Sequence, residues 1–402
     1  MNFQKKIYRE FIIFYLFISI ITLNFSLFST PDKKNSILDC IKEEDVKCIK
    51  KKIRKRSQAN SLDKETNETF LYLSSGKNNP EIVKFLLAKG ANPNRKSPES
   101  GEYPIHSACK TGNFEILKLL FSKRANPKVL TDSLAQTVVH KAAISGNVEI
   151  LDYLSKKGAD IDIKDKLGRT PVFISCENGN YEFTEKLVLM GTNFNLQDLE
   201  MESPLHLASR NRHPKIVDLL IKHDANYIAL TNKKETPLLA ARVEIPKEQA
   251  ESSYGNAEKR TYDTMKYLLE KGSDPNEYMP DGDSALIGVT KQGFLSCVKL
   301  LFEYKADLNH KRKDLRNALY VAVENSHTDI VDFLISKGAD PNLTGPEEDT
   351  PLHLALKTGQ EYIARILIFG GTEISLKNED GENCKDLSKK IPGLKKIITP
   401  LK

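Results

Sequence analysis

Tryptophan is absent from these 402 residues, and methionine (5), cysteine (6) and histidine (8) are scarce. A chain with no Trp and 40% hydrophobic content suits a thin, layered core of Leu, Ile and Ala rather than one bulky interior. The signatures of catalysis are missing too: there is no G-x-S-x-G, Walker loop, H-E-x-x-H or dinucleotide fingerprint. Carboxylate pairs such as Glu43-Glu44 and Glu347-Glu348 fall in loops or at helix ends, with no concave site implied around them. No catalytic residue, cofactor or metal is therefore assigned, and an enzyme is not expected. The net charge of +6 is mild for this length, which argues against nucleic acid as the main partner.

Long apolar runs are lacking as well, with one exception. Lys5, Lys6 and Arg9 precede an uncharged stretch from Phe11 to Pro31, with small residues at Ser26, Ser29 and Thr30. Residues 1–30 read as a signal peptide or a membrane anchor. The densely apolar part is 13 residues, short of the roughly 20 that a membrane span needs. Either reading places the remainder outside the cytoplasm, periplasmic or secreted, unless an anchor inserts in the opposite sense, and the anchor reading adds a membrane contact through residues 11–29.

What the chain does have is a period. Helix starts recur at Thr69, Tyr103, Thr137, Thr170, Ser203, Thr236, Ser284, Asn317, Thr350 and Asn383, at steps of 34, 34, 33, 33, 33, 48, 33, 33 and 33 residues. Thr or Ser followed by Pro, as at Thr170-Pro171 and Thr350-Pro351, is an N-cap with Pro at the first helical position. A second apolar run follows at helical spacing, for example Val148, Ile150, Leu151 and Leu154, and Gly158 is the expected left-handed stop after it. No unit of about 33 residues buries enough apolar area to fold alone, so the units must stack. At 402 residues an ordinary globular chain would have two or three domains, but the repeat overrides that prior.

The segments TPVFISCENGN from Thr170, SPLHLASRNRH from Ser203 and TPLHLALKTGQ from Thr350 carry the T-P-L-H-x-A pattern. In this respect the chain resembles the ankyrin-repeat family. The resemblance implies an all-α repeat solenoid, a helix-turn-helix stack with short β-hairpin fingers, over residues 35–402. About ten units are expected, with a degenerate N-terminal cap at 35–68, an insertion near 244–260 and a C-terminal cap at 382–402. The insertion joins the two helices of the Thr236 unit and reads as a tolerated loop or a second contact site, with the second helix recovered at Thr261 to Leu269. His106, His140, His206 and His353, each three residues after a cap, fall where the family places a structural hydrogen bond. His213, His223, His310 and His327 read as isolated surface residues.

Among the cysteines, Cys109, Cys176 and Cys297 occupy core positions of the repeat. Cys40 and Cys48 should lie on the two antiparallel helices of the first unit, where an oxidising compartment would allow a disulfide. Two separately packed thiols is the other reading, and one continuous helix would hold them about 12 Å apart. The basic run Lys50, Lys51, Lys52, Arg54, Lys55 and Arg56 reads as the solvated face of the capping unit.

The resemblance further implies that a partner protein meets the fingertips and the exposed side of the first helices. Carried over unit by unit, the candidates are Leu167, Arg169, Leu199, Met201, Arg210, Tyr227, Tyr278, Met279, Lys291 and Arg316. Aromatic and apolar members are the better anchors. The function expected is an exported, monomeric, non-catalytic scaffold. A membrane-tethered structural or envelope component, or a protective chaperone-like factor for an exported enzyme, stands as the alternative.

Overall fold

The computed structural model describes residues 36–242 and 247–390, with the side chains of all of these but 247–255 and 390. The expected export segment 1–30, its membrane contact at 11–29 and the last part of the closing cap, 391–402, lie outside the described residues. Among the described residues no helix is long and apolar enough to cross a membrane.

Each of the ten sequence marks stands immediately before a helix. The side chains of Thr69, Thr137, Ser203, Thr236, Ser284, Asn317 and Thr350 accept the N–H three residues on, satisfying one of the orphan donors of the first turn. Pro104, Pro171, Pro204, Pro237 and Pro351 occupy the first helical position. First helices are short and buried nearly all round: Pro171 through Cys176 are all buried in Pro171–Asn178. Second helices such as Val148–Lys156 are amphipathic, burying Ile150, Leu151 and Leu154 and leaving the opposite face to solvent. One continuous apolar cluster runs from Cys40 to Leu387, so every unit completes the core of its neighbours.

The fingers are tight turns rather than strand ladders. Each is closed at its base by one backbone bond of the same kind, such as Asp165 N–H to Arg169 O at 2.8 Å and Met279 N–H to Asp283 O at 2.8 Å. Among the described residues β-pairing amounts to isolated bridges, Leu62 with Thr69, Tyr278 with Ser284 and Lys377 with Asn383. Successive tips are joined to one another, Lys166 N–H to Leu134 O (2.8 Å), Leu199 N–H to Leu167 O (2.9 Å) and Asn232 N–H to Glu200 O (3.0 Å). The backbone is spent between units, and little is left to build a ladder within one.

The insertion differs from the loop expected at 244–260. The first helix of that unit is cut to Pro237–Ala240, and the second begins at Lys247 and runs unbroken for 25 residues to Lys271. Most of the added residues thus extend a helix. Its later turns are docked on both sides: Arg260 Nε donates to Arg212 O (2.7 Å), and Glu258 Oε1 accepts the Ser296 N–H (2.8 Å).

At the N-terminal end Ile37–Lys42 and Val46–Lys52 form an antiparallel pair, with Cys40 and Cys48 bonded through sulfur and their Cα atoms 5.7 Å apart. Lys50, Lys51, Arg54, Lys55 and Arg56 are exposed around the end of the second of these helices, where cations complement the helix dipole. Cys109, Cys176, Cys297 and Cys384 are free and buried, and burial pushes the Cys176, Cys297 and Cys384 thiols up to about 12.

Candidate interaction surface

The fingertips share one backbone feature. The residue two before each cap has positive φ throughout, and it is Gly101, Gly168, Gly282 and Gly381 in four fingers but Asn67, Ala135, Met201, Lys234, Leu315 and Glu348 in the others. For Met201 (φ 59°) and Leu315 (φ 68°) a left-handed conformation costs about 1 to 2 kcal/mol. Both side chains are exposed, so burial does not offset that cost.

Along the groove the charged side chains form a continuous chain of ion pairs. Arg169 meets Asp198 (2.9 Å), Glu177 (3.4 Å) and Glu202 (3.7 Å). Arg210 lies between Glu202 and Glu235, and Arg242 passes from Glu235 (3.4 Å) to Asp283 (3.3 Å). Arg312 continues from Asp283 to Asp314, and Arg316 closes on Asp314 (3.0 Å) and Glu324 (3.2 Å). Burial pushes the Asp283 carboxyl up, against the pull of Arg242 and Arg312. The candidates Arg169, Arg210 and Arg316 are therefore already engaged by acids of their own chain. Arg242 carries the chain of pairs across the 48-residue step.

The apolar candidates divide. Leu199, 66% exposed, with Leu167 and Met201, stands out on two adjacent fingertips. Tyr278 is exposed and stacks on His310, ring centroids 4.8 Å apart, beside a hollow of about 210 Å³ lined by Pro275, Ser284, Leu286 and Ala306. Tyr227 and Met279 instead pack against the core. Lys291 is exposed at the end of its helix, where its carbonyl accepts His327 Nε2 (3.1 Å).

Four histidines act as rivets. In His206, Nδ1 accepts the Ser203 N–H (3.2 Å) and Nε2 donates to Glu235 O of the next finger (3.0 Å), which fixes the neutral Nε2–H tautomer. His106, His140 and His353 do the same toward Val129, Arg169 and Glu382. Burial pushes all four down, His106 to about 4. Of the histidines expected on the surface, three are half-buried connectors: His213, His310 and His327 reach Glu177 O, Gly282 O and Lys291 O of the preceding units. Among the described residues no cluster of His, Cys, Asp and Glu could hold a metal ion.

Two further ladders went unread in the sequence. The residue ten after the cap reaches back to the previous unit: Asn147 to Gly112 O, Asn180 to Ala143 O, His213 to Glu177 O and Gln360 to Val323 O. A second row of amides bonds forward, Asn94 to the Asn126 N–H, Asn195 to Asn226, Asn276 to Asp307, Asn309 to Asp340 and Asn342 to Glu373. Asn or Gln at a constant offset from the cap was the signal available.

Comparison with known proteins agrees along most of the chain. A family model described as ankyrin repeats (3 copies) matches residues 172–244 and 256–345, another, ankyrin repeats (many copies), matches 70–121 and 139–188, and a single ankyrin repeat matches 347–379. Similar solved structures include the human ASB11 ankyrin repeat domain, 23% identical over 58% of this chain and 97% of that one (TM-score 0.49). The ankyrin repeat domain of Bcl-3, a unique member of the IkappaB protein family, is 26% identical over 58% of this chain and 99% of its own (TM-score 0.49). No curated protein sequence matches the chain.

Proposed function

The chain belongs to the ankyrin-repeat family, and from that premise we propose that it is an exported, non-catalytic scaffold which holds a protein partner with the fingertips of its central units. Repeats of this family typically serve as protein–protein interaction scaffolds. The observation that carries the reading is the contrast along the groove. Its arginines are neutralised within the chain, while Leu167, Leu199 and Met201 project from neighbouring tips held in register by the Leu199 N–H to Leu167 O bond. Exposed apolar side chains on a backbone that is strained at Met201 fit contact anchors better than packing residues. Export is supported by the basic head and apolar segment of residues 1–30 and by a bridged Cys40–Cys48 pair beside four buried thiols.

A photo-reactive side chain placed at Leu199 in the full chain tests the surface. It should capture one discrete partner in the native fraction, whereas the same group at exposed Lys156, on a second helix, should not. Equal capture from both positions would remove the fingertips as the site.

A further inference from the structure

The described residues contain two Asn-x-Ser/Thr acceptor sequences, Asn67-Glu68-Thr69 and Asn342-Leu343-Thr344, and the fold treats them oppositely. We propose that Asn67 is an N-glycosylation site, taking its oligosaccharide from a lipid-pyrophosphate-linked donor as the chain is exported. In that transfer the side-chain amide nitrogen forms a bond to C1 of the first sugar. The C1–oxygen bond to the pyrophosphate breaks, the lipid pyrophosphate leaves with the electron pair, and the amide nitrogen gives up one proton.

Asn67 occupies the left-handed position at the tip of the first finger, φ 53°, and is one of the few residue types that adopts it at little cost. Its backbone is pinned, N–H to Asp63 O at 3.0 Å, while its side chain is exposed and engaged by no other group. Thr69 explains when the sequence must be read. Folded, its hydroxyl caps the Tyr72 N–H (3.2 Å), meets Ser97 Oγ (3.1 Å) and is buried, so transfer precedes closure of the finger. Closure then carries the sugar outward on a tip that loses no bond. Asn342 has no such freedom. It is half-buried between units, its Oδ1 accepting the Glu373 N–H at 2.7 Å as a rung of the amide row, and a glycan on it would have to part the stack, so only a chain left bare there closes its last units.

A glycan on the first finger would cover the N-terminal end of the groove and leave Leu167, Leu199 and Met201, three to four units along, open to a partner. The proposal rests on the export reading, and the test separates the two. The full chain, carrying its own N-terminal segment, is expressed in a secretory host with an oligosaccharyltransferase, and its mass is read before and after enzymatic removal of N-glycans alongside thiol labelling of Cys40 and Cys48. One glycan is expected, lost in Asn67→Gln and kept in Asn342→Gln, on a chain whose Cys40 and Cys48 resist labelling. Resistant cysteines with a bare Asn67 overturn the glycan and leave export standing. Labelled cysteines with a bare Asn67 overturn both, and a glycan on Asn342 in a stack of unchanged helicity overturns the structural distinction.

Discussion

The four riveting imidazoles set an acid limit on the stack. Each is neutral in the fold because burial disfavours the charged ring, so its pKa lies below the ordinary 6.5, at about 4 for His106. Above pH 6.5 neither the folded nor the unfolded chain binds the proton, and the rivets contribute fully. For His106, between 6.5 and about 4 the unfolded chain takes it up first, and stability falls by about 1.4 kcal/mol per pH unit; His140, His206 and His353 act in the same direction below 6.5. Below about 4 the loss at His106 is complete, on the order of 3 kcal/mol. Urea unfolding at steps from pH 7.5 to 5 should show this slope, and His106→Gln should be less stable at pH 7.5 yet lose less on acidification. An unchanged slope in that variant would mean His106 takes no part in the acid response. These rivets were legible in advance because His three residues after a cap is a local pattern. The left-handed Met201 and Leu315 were not, since glycine and asparagine announce positive φ in a sequence and Met and Leu do not, and here the closing bond of the finger imposes it. Nor could Arg169 and Arg210 be seen as already paired, because each is held between an acid eight residues away and another in the next unit.

At the scale of elements, caps and first helices were legible because Thr-Pro or Ser-Pro signals four of them within two residues and the repeat period places the others. The insertion was not. Gly255 and Ser252-Ser253 suggest a loop, but Pro246 stands directly before the first helical residue, and the stretch from Lys247 is rich in Glu, Gln, Ala and Lys, which favour a helix. The same unit breaks the forward row of amides. Asn195 accepts the Asn226 N–H and Asn276 accepts that of Asp307, but the position between them is Ile228, an exposed apolar side chain with nothing to offer the backbone of Asp274. Ile228→Asn should restore the rung and raise stability by about 1 kcal/mol. The measurement is a higher urea midpoint at unchanged m-value. A midpoint that stays put or falls would show that the long helix has shifted the two units out of bonding register.

Over the whole molecule, stability is close to a sum of unit and interface terms, and the ends are its weakest parts because they have one neighbour instead of two. The Cys40–Cys48 bond closes a loop of about eight residues at one end, and chain entropy assigns such a link roughly 2.5 kcal/mol. In a globular protein that amount would be spread over one cooperative core. In a stack it is local. Mild reduction should leave Cys109, Cys176, Cys297 and Cys384 unreactive, since each is buried and its thiol is pushed up. It should raise amide hydrogen exchange from Ile37 to about Ala88, where Asn79 bonds back to Glu44 O, and leave the Ser284, Asn317 and Thr350 units as protected as before. The Cys40→Ser, Cys48→Ser double variant should reproduce the pattern without reductant. Loss of protection spread evenly along the chain would mean that the units unfold as one body, so that reducing one end would loosen the central fingertips as well.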